Sequence, residues 1–165
     1  MSRRDPAGES WSIRQCRLSD LDQVTEVEEA SFPDPYDRFT FVQLLELEPG
    51  GFLVAERDRR LLGYITGVVR GDEAMIYSIA VIADSRRRGV AGALMKGELD
   101  YLSGKAGRVY LQVSVNNPAA ISLYKRFSFV ELGRVRKYYR NGDDALIMSR
   151  DLHASVEVGG AGEST

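Results

Sequence analysis

An apolar stretch at residues 74–82 leads within a few residues into the sequence Arg86-Arg87-Arg88-Gly89-Val90-Ala91-Gly92. Beyond it, apolar residues recur on one helical face to about residue 102, so a strand, a short turn and a helix are predicted. Backbone N–H groups and the helix dipole attract anions at such a helix start. Small residues let a phosphate approach the backbone, and arginines add forked donors. The turn is either a phosphate site or a solvated arginine cluster.

Strand and helix patterns alternate along the rest of the chain. Strands are predicted at residues 11–17, 52–56, 61–69, 74–82, 109–115, 130–138 and 145–151, and helices at residues 19–30, 39–47, 88–102 and 118–126. Ser19 is expected to cap the first helix, and Asn117 with Pro118 to start the last one. This order predicts an α/β fold. One domain is expected over residues 11–152, with disordered tails at residues 1–10 and 153–165.

Composition excludes several classes of function. The formal net charge is −2, so no global basic field attracts nucleic acid, and nucleic acid is not expected as a partner. The chain has one cysteine, Cys16, and one histidine, His153, so a disulfide framework, a Cys–His couple and a multi-histidine metal site are not expected. No apolar run approaches the ~20 residues that span a membrane, and the polar first ten residues lack a signal-peptide core. We therefore predict a cytoplasmic protein without a metal.

Three blocks of sequence carry a resemblance to a known family. Arg86, Gly89 and Ala91 match the signature Arg/Gln-x-x-Gly-x-Gly/Ala at the turn. Residues 109–124 look like that family's strand, asparagine, helix and tyrosine, and residues 137–152 resemble the end of its N-terminal acetyltransferases. The chain thus resembles the GNAT (GCN5-related N-acetyltransferase) superfamily, including the ribosomal-protein alanine acetyltransferases and the archaeal and eukaryotic N-terminal acetyltransferase catalytic subunits. The resemblance implies a mixed, mostly antiparallel sheet of about seven strands flanked by about four helices.

The resemblance also implies an enzyme that uses acetyl-CoA as cosubstrate, with roles for particular residues. The cofactor would be bound by Ile79, Ala80 and Val81 along the pantetheine arm, by Arg86, Arg87, Arg88, Gly89, Val90, Ala91 and Gly92 at the pyrophosphate, and by Asn117 and Tyr124. Tyr124 would act as the general acid that protonates the leaving thiolate. Without the resemblance, Tyr124 would be interpreted as a buried helix aromatic.

The base is the departure from the family pattern. Gln112 occupies the position where the bacterial relatives carry glutamate and several eukaryotic ones histidine, and an amide cannot accept a proton at neutral pH. Asp34 falls where eukaryotic relatives carry a loop glutamate, which suggests a base or a substrate-positioning group; it could equally be a turn former before Pro35. Glu28 and Glu29 lie just upstream, where a solvated helix end would also explain them.

The expected acceptor is the free α-amine of a protein or peptide. Such an amine, with a pKa near 8, is about one quarter neutral at about pH 7.5, whereas about one lysine in a thousand is, so a weak base suits α-amines better. The acceptor would contact two loops through Phe32, Pro33, Tyr36, Gln112, Tyr138 and Tyr139. Because neighbours on a strand face opposite ways, one residue of the tyrosine pair is expected to pack across strands.

Two other functions compete with this one. The runner-up is a GNAT enzyme that acetylates lysine side chains, a polyamine or another small-molecule amine. A non-enzymatic module could bind RNA or the ribosome through Arg134, Arg136, Lys137 and Arg140, although these residues fit a solvated strand face better. For the acetyltransferase, ribosome association or an auxiliary subunit are partners on which the sequence is silent.

Overall fold

The structure is a computed structural model that describes residues 2–4, 10–86 and 88–153. Within these residues the chain forms eight strands and four helices. They are β1 (Ser2–Arg4), β2 (Ser10–Gln15), α1 (Leu21–Ser31), α2 (Arg38–Leu47), β3 (Phe52–Arg57), β4 (Arg60–Arg70), β5 (Glu73–Val81), α3 (Val90–Ser103), β6 (Arg108–Ser114), α4 (Pro118–Arg126), β7 (Val130–Val135) and β8 (Ala145–Asp151). None of the described helices is both long and apolar enough to cross a bilayer.

The strands follow the order β1-β2-β3-β4-β5-β6-β8-β7 in one mixed sheet. The pairs β1–β2, β2–β3, β3–β4, β6–β8 and β7–β8 are antiparallel, whereas β5 and β6 are parallel. The predicted α/β class and mostly antiparallel sheet are confirmed, with eight strands rather than about seven. The chain divides into two compact units. Unit 1 comprises Met1–Val68 and Ile76–Tyr101, and unit 2 comprises Val69–Met75 and Leu102–Thr165.

The predicted terminal tails differ from the structure at one place. Ser2–Arg4 forms β1, which pairs antiparallel with the start of β2, and Ser10 is the first residue of β2, so the prediction of a disordered tail over residues 1–10 is wrong for these four residues. The physical reason is that an edge strand is ordered by backbone hydrogen bonds and needs no apolar side chains. Residues 1, 5–9 and 154–165 lie outside the described part of the chain.

The core of unit 1 lies between its helices and its strands. In α1, Leu21, Val24 and Val27 are buried at the three-residue spacing of one helical face. Phe41 of α2 packs against Phe52 and Tyr64, with ring centroids 6.0 and 5.6 Å away. Trp11 in β2, the single tryptophan of the chain, is only 4% exposed. Aromatic and aliphatic burial therefore fixes α1 and α2 against the strands of this unit.

The start of α1 differs from the prediction that Ser19 caps it. A short 3-10 turn, Leu18–Asp20, precedes the helix, and the carboxylate of Asp20 accepts a hydrogen bond from the Arg17 backbone at 2.7 Å. Asp20 also forms an ion pair with Arg14 at 2.8 Å and is buried. These contacts of Asp20 with Arg14 and Arg17 stabilise the 3-10 turn, and α1 begins after it at Leu21. Cys16 is buried, and burial raises the pKa of its thiol to about 12.

Glu98 is an unusual member of the unit 1 core. Its side chain in α3 is fully buried, and neither carboxyl oxygen accepts a hydrogen bond from the described residues. Burial, and secondarily the charge of Glu48, raises the pKa of Glu98 well above its usual range. The folded state therefore binds this proton more tightly than the unfolded chain does. The resulting stability is complete below the unfolded pKa of about 4 and is lost as pH rises through the folded pKa.

We expect Glu98→Gln to raise the melting temperature relative to wild type by at least about 3 °C at about pH 8, and by much less at about pH 4. The amide keeps the shape of the neutral acid and cannot ionise. Melting curves across this pH range test the prediction, with Glu46→Gln as the matched control because Glu46 is exposed in the same unit. A difference from wild type that does not change with pH would contradict it.

Unit 2 is built around β6, β8 and α4. Asn117 caps α4 by accepting a hydrogen bond from the Ala120 backbone at 3.2 Å, and Pro118 is the first helical residue, as predicted. The predicted bounds of β8 agree with the structure, whereas β7 ends at Val135 instead of continuing to residue 138. The cause is a turn in which Lys137 has φ +52° and its N–H donates to Asp144 at 2.9 Å.

Candidate active site

The turn between β5 and α3 has the backbone geometry of an anion site. Gly89 immediately precedes α3 and has φ +85°, a left-handed conformation that favours glycine. A Cβ atom placed on Gly89 would meet no heavy atom of the described residues within 4 Å apart from its chain neighbours, so in that part of the structure the space beside this backbone is open. This opening at a helix start satisfies the requirement that a phosphate reach the backbone.

The arginines of this turn have different environments. The Nε of Arg86 donates to the carbonyl oxygen of Val81 at 3.0 Å, which joins the turn to the end of β5. Arg86 is exposed, whereas Arg88 is half-buried. Arg87 lies outside the described residues. Val90 is only 1% exposed and belongs to the core, so its contribution to a ligand site is restricted to its backbone. Of the predicted phosphate residues, Gly89 thus has the clearest supporting geometry.

The end of β5 lies very close to β4. A Cβ on Gly63 would be 2.6 Å from the carbonyl oxygen of Ala80, and Ile82 donates its N–H to Leu62 at 2.8 Å. Ala80 and Val81 are buried, and Ile79 is half-buried. Because Gly63 has no side chain, β4 can approach this closely. The hydrogen bond from Ile82 to Leu62 then holds the end of β5, which is predicted to contact the pantetheine arm.

The loop between α1 and α2 carries the predicted acceptor residues of unit 1. Phe32 packs against the core, Asp34 is half-buried with interactions of its own, and Pro33 is exposed. Tyr36 is 38% exposed and meets the edge of Phe41, with ring centroids 6.1 Å apart. The loop therefore lies against the core on one side and presents Tyr36 to solvent.

Glu28 is a polar residue whose environment the sequence did not reveal. It is 2% exposed, so the interpretation of a solvated helix end is wrong for Glu28, while the neighbouring Glu29 is exposed. Its carboxylate accepts hydrogen bonds from the hydroxyl of Tyr64, from that of Ser78 at 2.8 Å and from the backbone N–H of Tyr36 at 2.9 Å. The reason for the difference is that Glu28 faces the strands on the apolar side of α1.

Tyr124 is the residue of unit 2 to which the sequence assigns the general-acid role. It is 6% exposed in α4, and its ring lies 5.9 Å from that of Phe129. Burial, and secondarily Tyr139, raises the pKa of Tyr124 well above its usual value. The phenol is therefore protonated throughout the neutral range, which is the state that a proton or hydrogen-bond donor requires.

The tyrosine pair lies in the turn after β7 and not on a strand. The rings of Tyr138 and Tyr139 are in edge contact, with centroids 5.0 Å apart. Tyr138 is 49% exposed, whereas Tyr139 is half-buried and its pKa is raised to about 12, chiefly by burial. The expectation of cross-strand packing is thus wrong, since β7 ends before the pair, although only one of the two rings faces inward.

An anchoring carboxylate in the same turn is a second feature that the sequence did not indicate. Asp143 accepts hydrogen bonds from Ser114 and from the Asn116 amide, both at 2.8 Å. These partners lower the pKa of Asp143. Since Ser114 ends β6 and Asn116 precedes α4, the aspartate ties the tyrosine turn to the segment that starts the helix of Tyr124.

Gln112 and Asn117 occupy different positions in unit 2. Gln112 lies in the middle of β6, opposite Ile147 of β8, and is half-buried. The side-chain oxygen of Asn117 accepts the helix-cap hydrogen bond, so its NH₂ group is the part that remains for a ligand. Among the described residues, no group of three or more histidine, cysteine, aspartate or glutamate side chains is placed to hold a metal ion.

Comparison with known proteins identifies the family. The model of the acetyltransferase (GNAT) family matches residues 21–129. The chain belongs to the GNAT family. The predicted resemblance, the enzyme class and acetyl-CoA as the acetyl donor are therefore confirmed, and the open backbone at Gly89 fits the pyrophosphate of that donor. The roles assigned to single residues remain predictions.

Several GNAT relatives match nearly the whole chain. An N-alpha-acetyltransferase of Sulfurisphaera tokodaii is 34% identical over 162 residues, covering 88% of this chain and 95% of the relative. The ribosomal protein bS18-alanine N-acetyltransferase of Escherichia coli is 30% identical over 142 residues, covering 84% and 95%. The crystal structure of Ard1 from Thermoplasma volcanium superposes with a TM-score of 0.82 at 29% identity, covering 86% of this chain and 97% of Ard1.

Proposed function

We propose that this GNAT enzyme transfers the acetyl group of acetyl-CoA to the free α-amine of protein or peptide N-termini. The observation that carries the proposal is the length over which this chain is similar to proteins named N-alpha-acetyltransferase. Three archaeal N-alpha-acetyltransferases are 30–34% identical to it, and each alignment covers at least 87% of this chain. Similarity over this length includes both loops that are predicted to contact the acceptor.

Acetyl-CoA supplies an acetyl thioester, and in the proposed reaction the acceptor amine attacks its carbonyl carbon directly. The C–N bond forms, the C–S bond breaks, and the amine loses a proton while the thiolate gains one. The β5–α3 turn would bind the pyrophosphate through Gly89 and the arginines. Backbone N–H groups near Ile79 and Val81 would polarise the carbonyl, a contribution of ~3 kcal/mol in comparable sites.

Tyr124 would act on the sulfur. Because burial keeps the phenol protonated, it is ready to donate a hydrogen bond to the departing thiolate and then its proton. Its raised pKa also means that Tyr124 does not ionise below about pH 10, so it imposes no loss of activity at moderately alkaline pH.

Removing the proton from the acceptor amine needs only weak assistance from the protein. Gln112 can orient water but accepts no proton, and Asp34 is the carboxylate proposed to assist in unit 1. Since about one quarter of an α-amine is neutral near pH 7.5, weak assistance is enough. Two loops are proposed to contact the acceptor peptide. One contributes Phe32, Pro33 and Tyr36, and the other contributes Tyr138 and Tyr139.

A panel of peptides with varied first residues tests the function, with release of free CoA thiol as the readout. We expect turnover on peptides with a free N-terminus. The matched control is the same peptide with a blocked N-terminus and one internal lysine, on which we expect no turnover. Transfer to the lysine peptide or to a polyamine, with none to free N-termini, would overturn the proposed function.

We expect Asp34→Asn to lower kcat modestly, with the greatest fractional loss below about pH 7 and little loss near pH 9. At low pH most of the amine is protonated and needs help to lose its proton, whereas at high pH most of it is neutral. Measurements at saturating peptide isolate this effect from electrostatic attraction of the cationic N-terminus, which would change KM alone. An equal fractional loss at every pH would show that Asp34 positions the substrate.

The proposed partners are protein N-termini, with ribosomal proteins as one candidate class because a ribosomal-protein alanine acetyltransferase is among the relatives. An auxiliary subunit is a second candidate, since one relative, 29% identical over 154 residues, is the catalytic subunit of the N-terminal acetyltransferase B complex of Arabidopsis thaliana. We place the reaction in the cytoplasm, in line with the sequence prediction. Co-purification with ribosomes in low and high salt would test the first partner.

A further inference from the structure

The carboxylate of Glu28 joins three parts of unit 1. Glu28 lies on α1, Tyr64 on β4 and Ser78 on β5, and all three side chains are buried. The two hydroxyl groups are 2.9 Å apart, and both contact the Oε1 atom of Glu28. The other carboxyl oxygen, Oε2, accepts the backbone N–H of Tyr36 at 2.9 Å. One side chain therefore connects two strands with the loop that follows α1.

The two carboxyl oxygens have separate tasks. A buried carboxylate is stable only where hydrogen bonds replace its water, and the two hydroxyls supply such bonds to Oε1. The hydrogen bond that Oε2 accepts from the Tyr36 N–H has a different effect, because it fixes the backbone of a loop that contains Pro33 and Pro35. Prolines have no N–H, so this stretch has few backbone donors with which to stabilise itself. The Tyr36 N–H is the donor that the Glu28 carboxylate holds.

We propose that Glu28 is a positioning residue, which holds the loop of Tyr36 in the conformation that receives the acceptor amine. The inference rests on the proposed function insofar as this loop is the one expected to contact the acceptor. Ser78 directly precedes Ile79, the first residue of β5 that is expected to line the acetyl donor. The same carboxylate thus fixes both the acceptor loop and the strand next to the donor.

Glutamate is required here because three donors converge on it. A carboxylate accepts hydrogen bonds at both oxygens, whereas glutamine has one acceptor oxygen and an NH₂ group that only donates. Glu28→Gln therefore leaves a buried donor without an acceptor. Burial and the charge of Glu28 raise the pKa of Tyr64 well above its usual value, so its phenol remains a donor at every pH used for assay.

Hydrogen exchange tests the loop directly, without turnover. Over residues 33–37 only Asp34, Tyr36 and Asp37 carry a backbone N–H, so a short peptic fragment reports few amides. We expect the Tyr36 amide to be protected in the wild type and to exchange at least about tenfold faster in Glu28→Gln. Glu29→Gln, an exposed neighbour on the same helix, is the matched control and should exchange like the wild type. An unprotected Tyr36 amide in the folded wild type would overturn the proposal, whatever the stability of the variant.

Steady-state kinetics separates positioning from general stability. We expect Glu28→Gln to raise KM for the acceptor about tenfold, while KM for acetyl-CoA changes less than about twofold. Tyr64→Phe removes an Oε1 contact and keeps the Tyr36 bond, so it should lower the melting temperature and leave the acceptor KM within about twofold. If both variants lose stability alike and neither changes the acceptor KM, Glu28 is a structural residue only and the inference fails.

The acceptor in these assays is whichever amine the wild type acetylates. A wild type that acetylates only lysine peptides would refute the proposed function, yet the exchange rate of Tyr36 and the ratio of acceptor KM values would still be measurable. The failure of the proposed function and the failure of the role of Glu28 are therefore separate results.

Discussion

Tyr124→Phe is expected to lower kcat by about 10²-fold or more, within the usual range for loss of general acid catalysis. The substitution keeps the ring against Phe129 and removes only the hydroxyl, so folding and acetyl-CoA affinity should change little. Initial rates at saturating peptide and acetyl-CoA give kcat, and calorimetric titration gives the affinity. A fully active phenylalanine variant would make Tyr124 a packing residue.

Two companion variants make this result specific. Tyr110→Phe removes a tyrosine hydroxyl that donates to Glu73 at 3.1 Å in the same unit, outside the predicted site, and should retain wild-type kcat. Gln112→Ala should cost less than Tyr124→Phe, because an amide can orient a water molecule but cannot take its proton. If Gln112→Ala lowered kcat more than Tyr124→Phe, Gln112 on β6 would have a larger role in the reaction than Tyr124 on α4.

Gly89→Glu is expected to abolish the thermal stabilisation by acetyl-CoA. At a ligand concentration of 100 Kd the wild type gains about 2.7 kcal/mol, which corresponds to roughly 5–10 °C in melting temperature. The glutamate introduces bulk and negative charge into the open space beside the left-handed Gly89, where the pyrophosphate is predicted to bind. Thermal melts with and without acetyl-CoA measure the shift, which should fall below about 1 °C.

Gly71→Glu is the control that separates strain from ligand contact. Gly71, in the turn between β4 and β5, has φ +64° and open space at its Cβ position, so the same substitution carries the same kind of backbone strain and charge. We expect both variants to melt lower than the wild type, and only Gly71→Glu to retain the shift with acetyl-CoA. An intact shift in folded Gly89→Glu would remove the turn from the cofactor site.

Local chemistry explains why most elements of the fold could be predicted from the sequence. The hairpin between β3 and β4 turns at Asp58 and Arg59, both with positive φ, and these polar residues separate two apolar runs. Asn117 with Pro118 sets the start of α4 through capping, which depends on only a few neighbouring residues. The glycine of the β5–α3 turn likewise has a local conformational reason. Such features depend on residues close together in the chain.

The parts that could not be predicted depend on residues far apart in the chain. Glu28 lies 36 residues from Tyr64 and 50 residues from Ser78, so no local pattern shows that α1 turns a carboxylate toward two hydroxyls. The contacts of Asp143 with Ser114 and Asn116 span 29 and 27 residues. Of these two carboxylates, Glu28 had an ordinary local explanation as part of a solvated helix end. Their actual roles arise only when distant segments pack together.

The position of Trp11 determines what optical unfolding experiments measure. As the single tryptophan, buried in β2, it lies entirely within unit 1. Its emission during denaturation therefore follows the loss of unit 1, while the strands and helix of unit 2 contribute to circular dichroism but contain no tryptophan. A tryptophan substituted for the buried Phe129 would give unit 2 its own signal. Coincident or separate transitions of the two fluorophores would then report whether the chain unfolds cooperatively.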